Sequence, residues 1–101
     1  MAVGASYLSA IMLAAGLTAA YYEDDVTALI TAAQQELIRV GVDSTVAVSE
    51  TDSLVRQAVR TYVKSNYAES EQEATRLTMS FESQARALSL SDGYMAEVVV
   101  E

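Results

Sequence analysis

DDVTALITAAQQELIRVGV, residues 24–42, is the stretch whose reading decides the fold. Val26, Leu29, Ile30, Ala33, Leu37 and Val40 recur at three- and four-residue spacing, so on a helical wheel they share an arc of about 100°. Glu23, Asp24 and Asp25 stand at its start, where a helix terminus carries partial positive charge. Arg39 lies near its end, and Gly41 follows as a stop. The pattern predicts a helix over 24–40 that needs an apolar partner along one face.

Upstream, the chain carries no charged side chain from Met1 to Tyr22. Gly16 is a stop for a short helix over about 6–15. At about 100° per residue, Tyr7, Leu8, Ile11, Met12, Leu13 and Leu17 cover nearly the whole circumference. Such a helix wants burial on more than one side, and the second side is expected to belong to another subunit. In a lone monomer the segment is expected to be poorly buried. A secretory signal would need a basic leader, yet the first basic side chain is Arg39. A membrane anchor over 5–22 is the other alternative; Gly4, Ser6, Ser9, Gly16 and Thr18 interrupt the run, and no basic flank orients it. A disordered arm is the third.

Downstream, VDSTVAVSE (42–50) is polar and alternates weakly, so it reads as a loop in which Val46 and Val48 tuck inward or pair briefly as a strand. A third helix starts near Ser49 or Thr51, where Ser49 and Asp52 resemble a capping box, and ends near Tyr67. Leu54, Val55, Ala58, Val59, Tyr62 and Val63 form its apolar face. A fourth starts at Ser70 with Glu73 three residues on, and carries a narrow stripe of Ala74, Leu77, Phe81, Ala85 and Leu88. Ser91, Asp92 and Gly93 spell a turn. The tail YMAEVVVE (94–101) has strand propensity but no partner strand in this chain. The expected architecture is therefore all-α. It is a small bundle of about four helices (about 6–15, 24–40, 51–67 and 70–90), one domain over 1–93, with an extended tail over 94–101.

Composition agrees and narrows the function. The chain has 101 residues, enough for one domain, with no proline and only four glycines, which favours long helices. Zero cysteine removes disulfides and thiolate metal sites, and zero histidine removes the usual general base. A formal net charge of -8 argues against gripping nucleic acid or an anionic membrane. No catalytic set emerges and no phosphate-cradling glycine loop is present. Glu23, Asp24 and Asp25 could hold calcium or magnesium, but a solvated helix start explains them more simply. The chain is read as a non-enzyme without cofactor or metal.

One charge pattern asks for more. Arg56, Arg60 and Lys64 are spaced four apart and share one ridge of the third helix; they are half of the six basic residues. A solvated flank with local pairs is the plain reading, and contact with nucleic acid is a second. The third is a subunit interface, in which this ridge meets Glu69, Glu71 and Glu73 on the next copy. Such a head-to-tail contact closes into a ring or runs on as a filament. Ile38 and Met79 point off their own stripes and could add apolar area to it.

DDVTALITAAQQELIRVGV, then DSLVRQAVRTYVKSNYAES (52–70), then a final amphipathic helix, resembles the head-tail connector proteins of long-tailed bacteriophages. The resemblance covers about residues 23–90 and is one of pattern: an acidic start, the Leu29, Ile30, Ala32, Ala33 run, and the aspartate-led helix after a polar loop. It implies a structural protein of the virion neck, assembled in the host cytoplasm, that forms a ring, typically dodecameric. The ring would dock beneath the portal, extend the DNA exit channel and offer a platform to a neck or tail-completion protein. DNA would pass without specific binding. The resemblance also implies that terminal segments reach the portal or a neighbour, for which Tyr94, Val98, Val99 and Val100 are the candidates. The competing class is a small acidic adaptor or regulator that binds one protein through its helix faces.

Overall fold

The computed structural model of the protein describes residues 3–96. Five α-helices follow one another: α1 (Ala5–Ala14), α2 (Glu23–Arg39), α3 (Ser44–Ala47), α4 (Ser53–Asn66) and α5 (Glu71–Ser89). A single 3-10 turn, Ala20–Tyr22, leads into α2. The all-α bundle read from the sequence is the architecture, with one short helix more than expected and with boundaries shifted by a residue or a few.

The core follows from the apolar stripes. Val26, Ile30, Ala33 and Leu37 of α2 are fully buried, as are Val55, Ala58, Val59 and Val63 of α4. From α5, Phe81, Ala85 and Leu88 close the cluster. α4 sits at the centre, packing against α5, α2 and α1. Alanine at 33 and 58 lets the helix axes approach, and each larger side chain removed from water contributes about 1.5–3 kcal/mol.

Local chemistry sets the helix ends. The Asp52 carboxylate accepts hydrogen bonds from Leu54 N (3.0 Å) and Val55 N (3.0 Å), so Asp52 caps α4. Ser49 was expected to cap this helix; its Oγ instead accepts from Asp52 N at 3.2 Å and holds the capping residue in place. Ser70 Oγ accepts from Glu73 N at 3.1 Å at the start of α5. α2 ends in a Schellman motif: Gly41 N donates to Ile38 O (3.1 Å) and Val42 N to Leu37 O (2.9 Å), with Gly41 at φ +114°. α1 ends the same way at Gly16.

Four expectations need correction. The loop over 42–50 contains the one-turn helix α3, capped by Asp43 on Thr45 N (2.9 Å), which carries Ala47 into the core. Four residues are too few to show a helical period, so the sequence pattern could not announce it. Second, α1 is not poorly buried in the single chain. Tyr7, Ile11 and Met12 are buried by α2 and α4, while Leu13 stays exposed. Third, Leu54 and Val40 lie exposed although both sit on the expected stripes; each stands at a helix end, where a neighbouring helix covers it incompletely. Fourth, the tail does have a partner in its own chain. Met95 forms an antiparallel bridge with Val42, framed by Asp43 N donating to Tyr94 O (2.8 Å) and Ala96 N donating to Gly41 O (2.8 Å).

Among the described residues no helix is long and apolar enough to cross a membrane.

Candidate interaction surface

The basic ridge runs along α1 rather than standing free. Its first member, Arg56, places its guanidinium 5.5 Å from the centroid of the Tyr7 ring. The cation lies against the aromatic face, an attraction that strengthens as water is excluded. Burial pushes the Tyr7 hydroxyl up to about 12, opposed by the Arg56 charge and reinforced by Glu50. That hydroxyl makes no hydrogen bond among the described residues. At the other end, Lys64 lines a shallow hollow together with Ala15, Tyr67, Glu69 and Glu73.

One charge meets a need of α1. This helix has no acid in its first turn and no base in its last. The acid comes from elsewhere in the chain: Glu50 accepts from Gly4 N at 3.0 Å, and a negative charge at a helix N-terminus complements its dipole. Gly4 permits this approach, since a Cβ there would lie 2.6 Å from Glu50 Oε1.

Arg60, between the two, is exposed. Among the described residues the only ion pair is Arg39–Glu36, at 2.8 Å and on the surface. The Arg39 guanidinium holds the Glu36 carboxyl below its ordinary value. Of the expected acidic partners, Glu69 and Glu71 are exposed and Glu73 is half-buried. Lys64 lies in the hollow beside two of them, so the ridge and the acidic cluster adjoin at that end of one molecule.

Ile38 and Met79 are exposed, at 39% and 65%, as their off-stripe positions require. They do not belong to one patch by position: Ile38 is in the last turn of α2 and Met79 is midway along α5. Tyr94 is turned inward. Its hydroxyl donates to Asp52 Oδ2 at 2.9 Å, and its ring packs against the core. Val98, Val99 and Val100 lie outside the described residues.

The sequence reading missed one surface feature. Val40 and Leu90, both exposed at the ends of α2 and α5, line one hollow. It is a groove of about 610 Å³ between α2 and α5, in which charged side chains such as Glu36, Arg39, Glu82 and Arg86 stand beside Val40, Phe81 and Leu90. Its residues come from two helices far apart in sequence, so no local motif marks it. Among the described residues no three carboxylates gather where a metal ion could be held.

Compared with known proteins, the chain matches no family model, no curated protein and no solved structure.

Proposed function

We propose that the protein is a structural ring component, a head-tail connector of a long-tailed phage that docks beneath a portal and continues its channel. The observation that carries this reading is the position of Arg60. It sits exposed in the middle of a rigid helix at the centre of the bundle, with no ion-pair partner among the described residues of its own chain. Arg56 lies on Tyr7 of α1, while Arg60 and Lys64 stay exposed and open to a neighbour.

The acceptors for it on the next copy are Glu69 and Glu71, the exposed acids at the start of α5. A contact between two different patches is head-to-tail, and such contacts close into rings when the rotation allows. A net charge of -8 per copy keeps phosphates at a distance, as a conduit for DNA requires. The sequence resemblance over 23–90 supports the same assignment. The test is electron microscopy of the protein mixed with a phage portal protein. A ring seated under the portal supports the reading; a discrete one-to-one complex with some other single partner favours an adaptor instead.

A further inference from the structure

α2 and α5 each carry a second stripe on the far side from the core. On α2 it is Asp24, Ala28, Thr31, Gln35 and Ile38; on α5 it is Arg76, Met79, Ser83, Arg86 and the capping Leu90. All are exposed except Thr31, which is half-buried, so both stripes lie uncovered among the described residues. Each steps by alternating threes and fours, the spacing of a seam between two helices.

The two stripes fit each other. Asp24 and Ile38 stand as far apart in sequence as Arg76 and Leu90, about 21 Å along a helix. Laid side by side in the same direction, the stripes bring Asp24 to Arg76, Met79 to Ala28 and Leu90 to Ile38. One end is then a charge pair and the other an apolar pair. Met79, 65% exposed, lies over the smallest side chain of the opposite stripe. Ser83 meets Thr31 in the middle, where short side chains let the axes approach. The reverse direction would set Asp24 on Leu90 and Arg76 on Ile38, a charge against an apolar group at both ends, and is disfavoured.

The charges support the same pairing. Neither Arg76 nor Asp24 has an ion-pair partner among the described residues, and Glu23 and Asp25 flank Asp24 at the start of α2. Arg76 and Arg86 make the outer stripe of α5 basic in a chain of net charge -8. Arginine and methionine are both favoured at protein interfaces. Because both stripes face outward on one molecule, their match is a match between copies.

We propose that α2 of one copy packs in parallel on α5 of the next through these stripes, so that the chain self-associates head to tail. The two patches differ, so each added copy leaves one of each free, and the contact closes into a ring or runs on as a filament. A single pair of helices four turns long is a small interface, so the contact is weak between free copies and is driven by concentration. It uses neither Arg60 nor a portal, goes beyond the ring reading and stands or falls apart from it.

The test is sedimentation of the full chain over a concentration series, in the parent and in the Arg60→Glu background, with helix content checked by circular dichroism. Self-association is expected in both. Arg76→Asp and Asp24→Arg are each expected to weaken it at least about tenfold, because like charges then face each other. Combined in one chain, the two substitutions are expected to restore it. A parent that stays monomeric up to about 1 mM would overturn the proposal. So would association that either single substitution leaves unchanged, or single losses that the double substitution fails to restore, since the two residues would then not face each other. Association that disappears in the Arg60→Glu background would also overturn it, while leaving the ring reading in place.

Discussion

Tyr94 donates a hydrogen bond to Asp52 across 42 positions of sequence, at 2.9 Å, and so ties the end of the chain to the cap of the central helix. The same carboxylate accepts from Leu54 N and Val55 N. Asp52→Ala removes both functions at once. We expect a loss of about 1 kcal/mol from the helix cap alone, read in urea unfolding. Tyr94→Phe keeps the cap and loosens only the tail. In an Asp52→Ala background Tyr94→Phe should therefore add nothing from this bond; a full additive cost would show that the two side chains do not interact.

The bond also has a pH signature. The Val55 N–H, then the Tyr94 hydroxyl and the Leu54 N–H, hold the Asp52 carboxyl below its ordinary value. The unfolded chain thus takes up this proton at a higher pH than the folded one. The contribution to stability is present above the ordinary carboxylate range and is lost as pH falls through the folded value. The stability gap between the parent and Asp52→Asn should be constant near neutrality and shrink on acidification. A gap that widens towards acid would contradict the assignment.

Tyr7 titrates at the opposite end of the scale. Its pKa is raised by burial from 10.0 to about 12, so the fold favours the neutral phenol. The resulting stability is fully present below pH 10.0 and is lost as pH rises towards 12. Tyr7→Phe removes a buried hydroxyl that has no hydrogen-bond partner among the described residues. Leaving such a group unbonded costs about 1–3 kcal/mol, so the variant should be at least as stable as the parent at neutral pH. It should also lack this part of the alkaline loss. Unfolding curves of the two proteins across that range decide it.

These two tyrosines show where sequence reasoning reached and where it stopped. The stripes of α2, α4 and α5 were legible because each repeats over three or more turns, long enough for one face to declare itself. Ser70, Gly16 and Gly41 marked helix ends by chemistry that acts within a few residues. Tyr94 bonding to Asp52, Arg56 lying on Tyr7 and Glu50 reaching Gly4 are tertiary pairings, and nothing within a short window announces them. The burial of α1 was misjudged for the same reason. A helix apolar all round does not say which of its sides its own chain will cover. The basic ridge was visible, but that Arg56 turns to Tyr7 of α1 while Arg60 and Lys64 stay exposed needed the fold.

Gly4→Ala tests the supply of charge to α1. The new Cβ would stand 2.6 Å from Glu50 Oε1, so the carboxylate must swing away and the bond to Gly4 N is lost. The expected cost is about 1–2 kcal/mol for a charge-assisted hydrogen bond at a partly exposed site. Hydrogen exchange should quicken in α1 and remain unchanged in α5. Faster exchange throughout the bundle would mean that Gly4 matters to the fold as a whole and not to this contact.

Arg60→Glu separates the ridge's two roles. Arg60 is exposed and has no ion-pair partner among the described residues, so unfolding of the single chain should change by no more than about 0.5 kcal/mol. Self-association, followed by sedimentation at matched concentration in the presence of the portal, should weaken strongly. Full restoration by a Glu71→Arg partner substitution would identify the opposite patch.

Electron microscopy of the purified protein with a phage portal tests the central claim, the proposed ring, most directly. The account expects a closed ring of this chain seated on the portal, continuous with its channel, and lost or sparse with Arg60→Glu. A portal that stays bare at saturating protein, or a bound ring that forms equally well with Arg60→Glu, would contradict it.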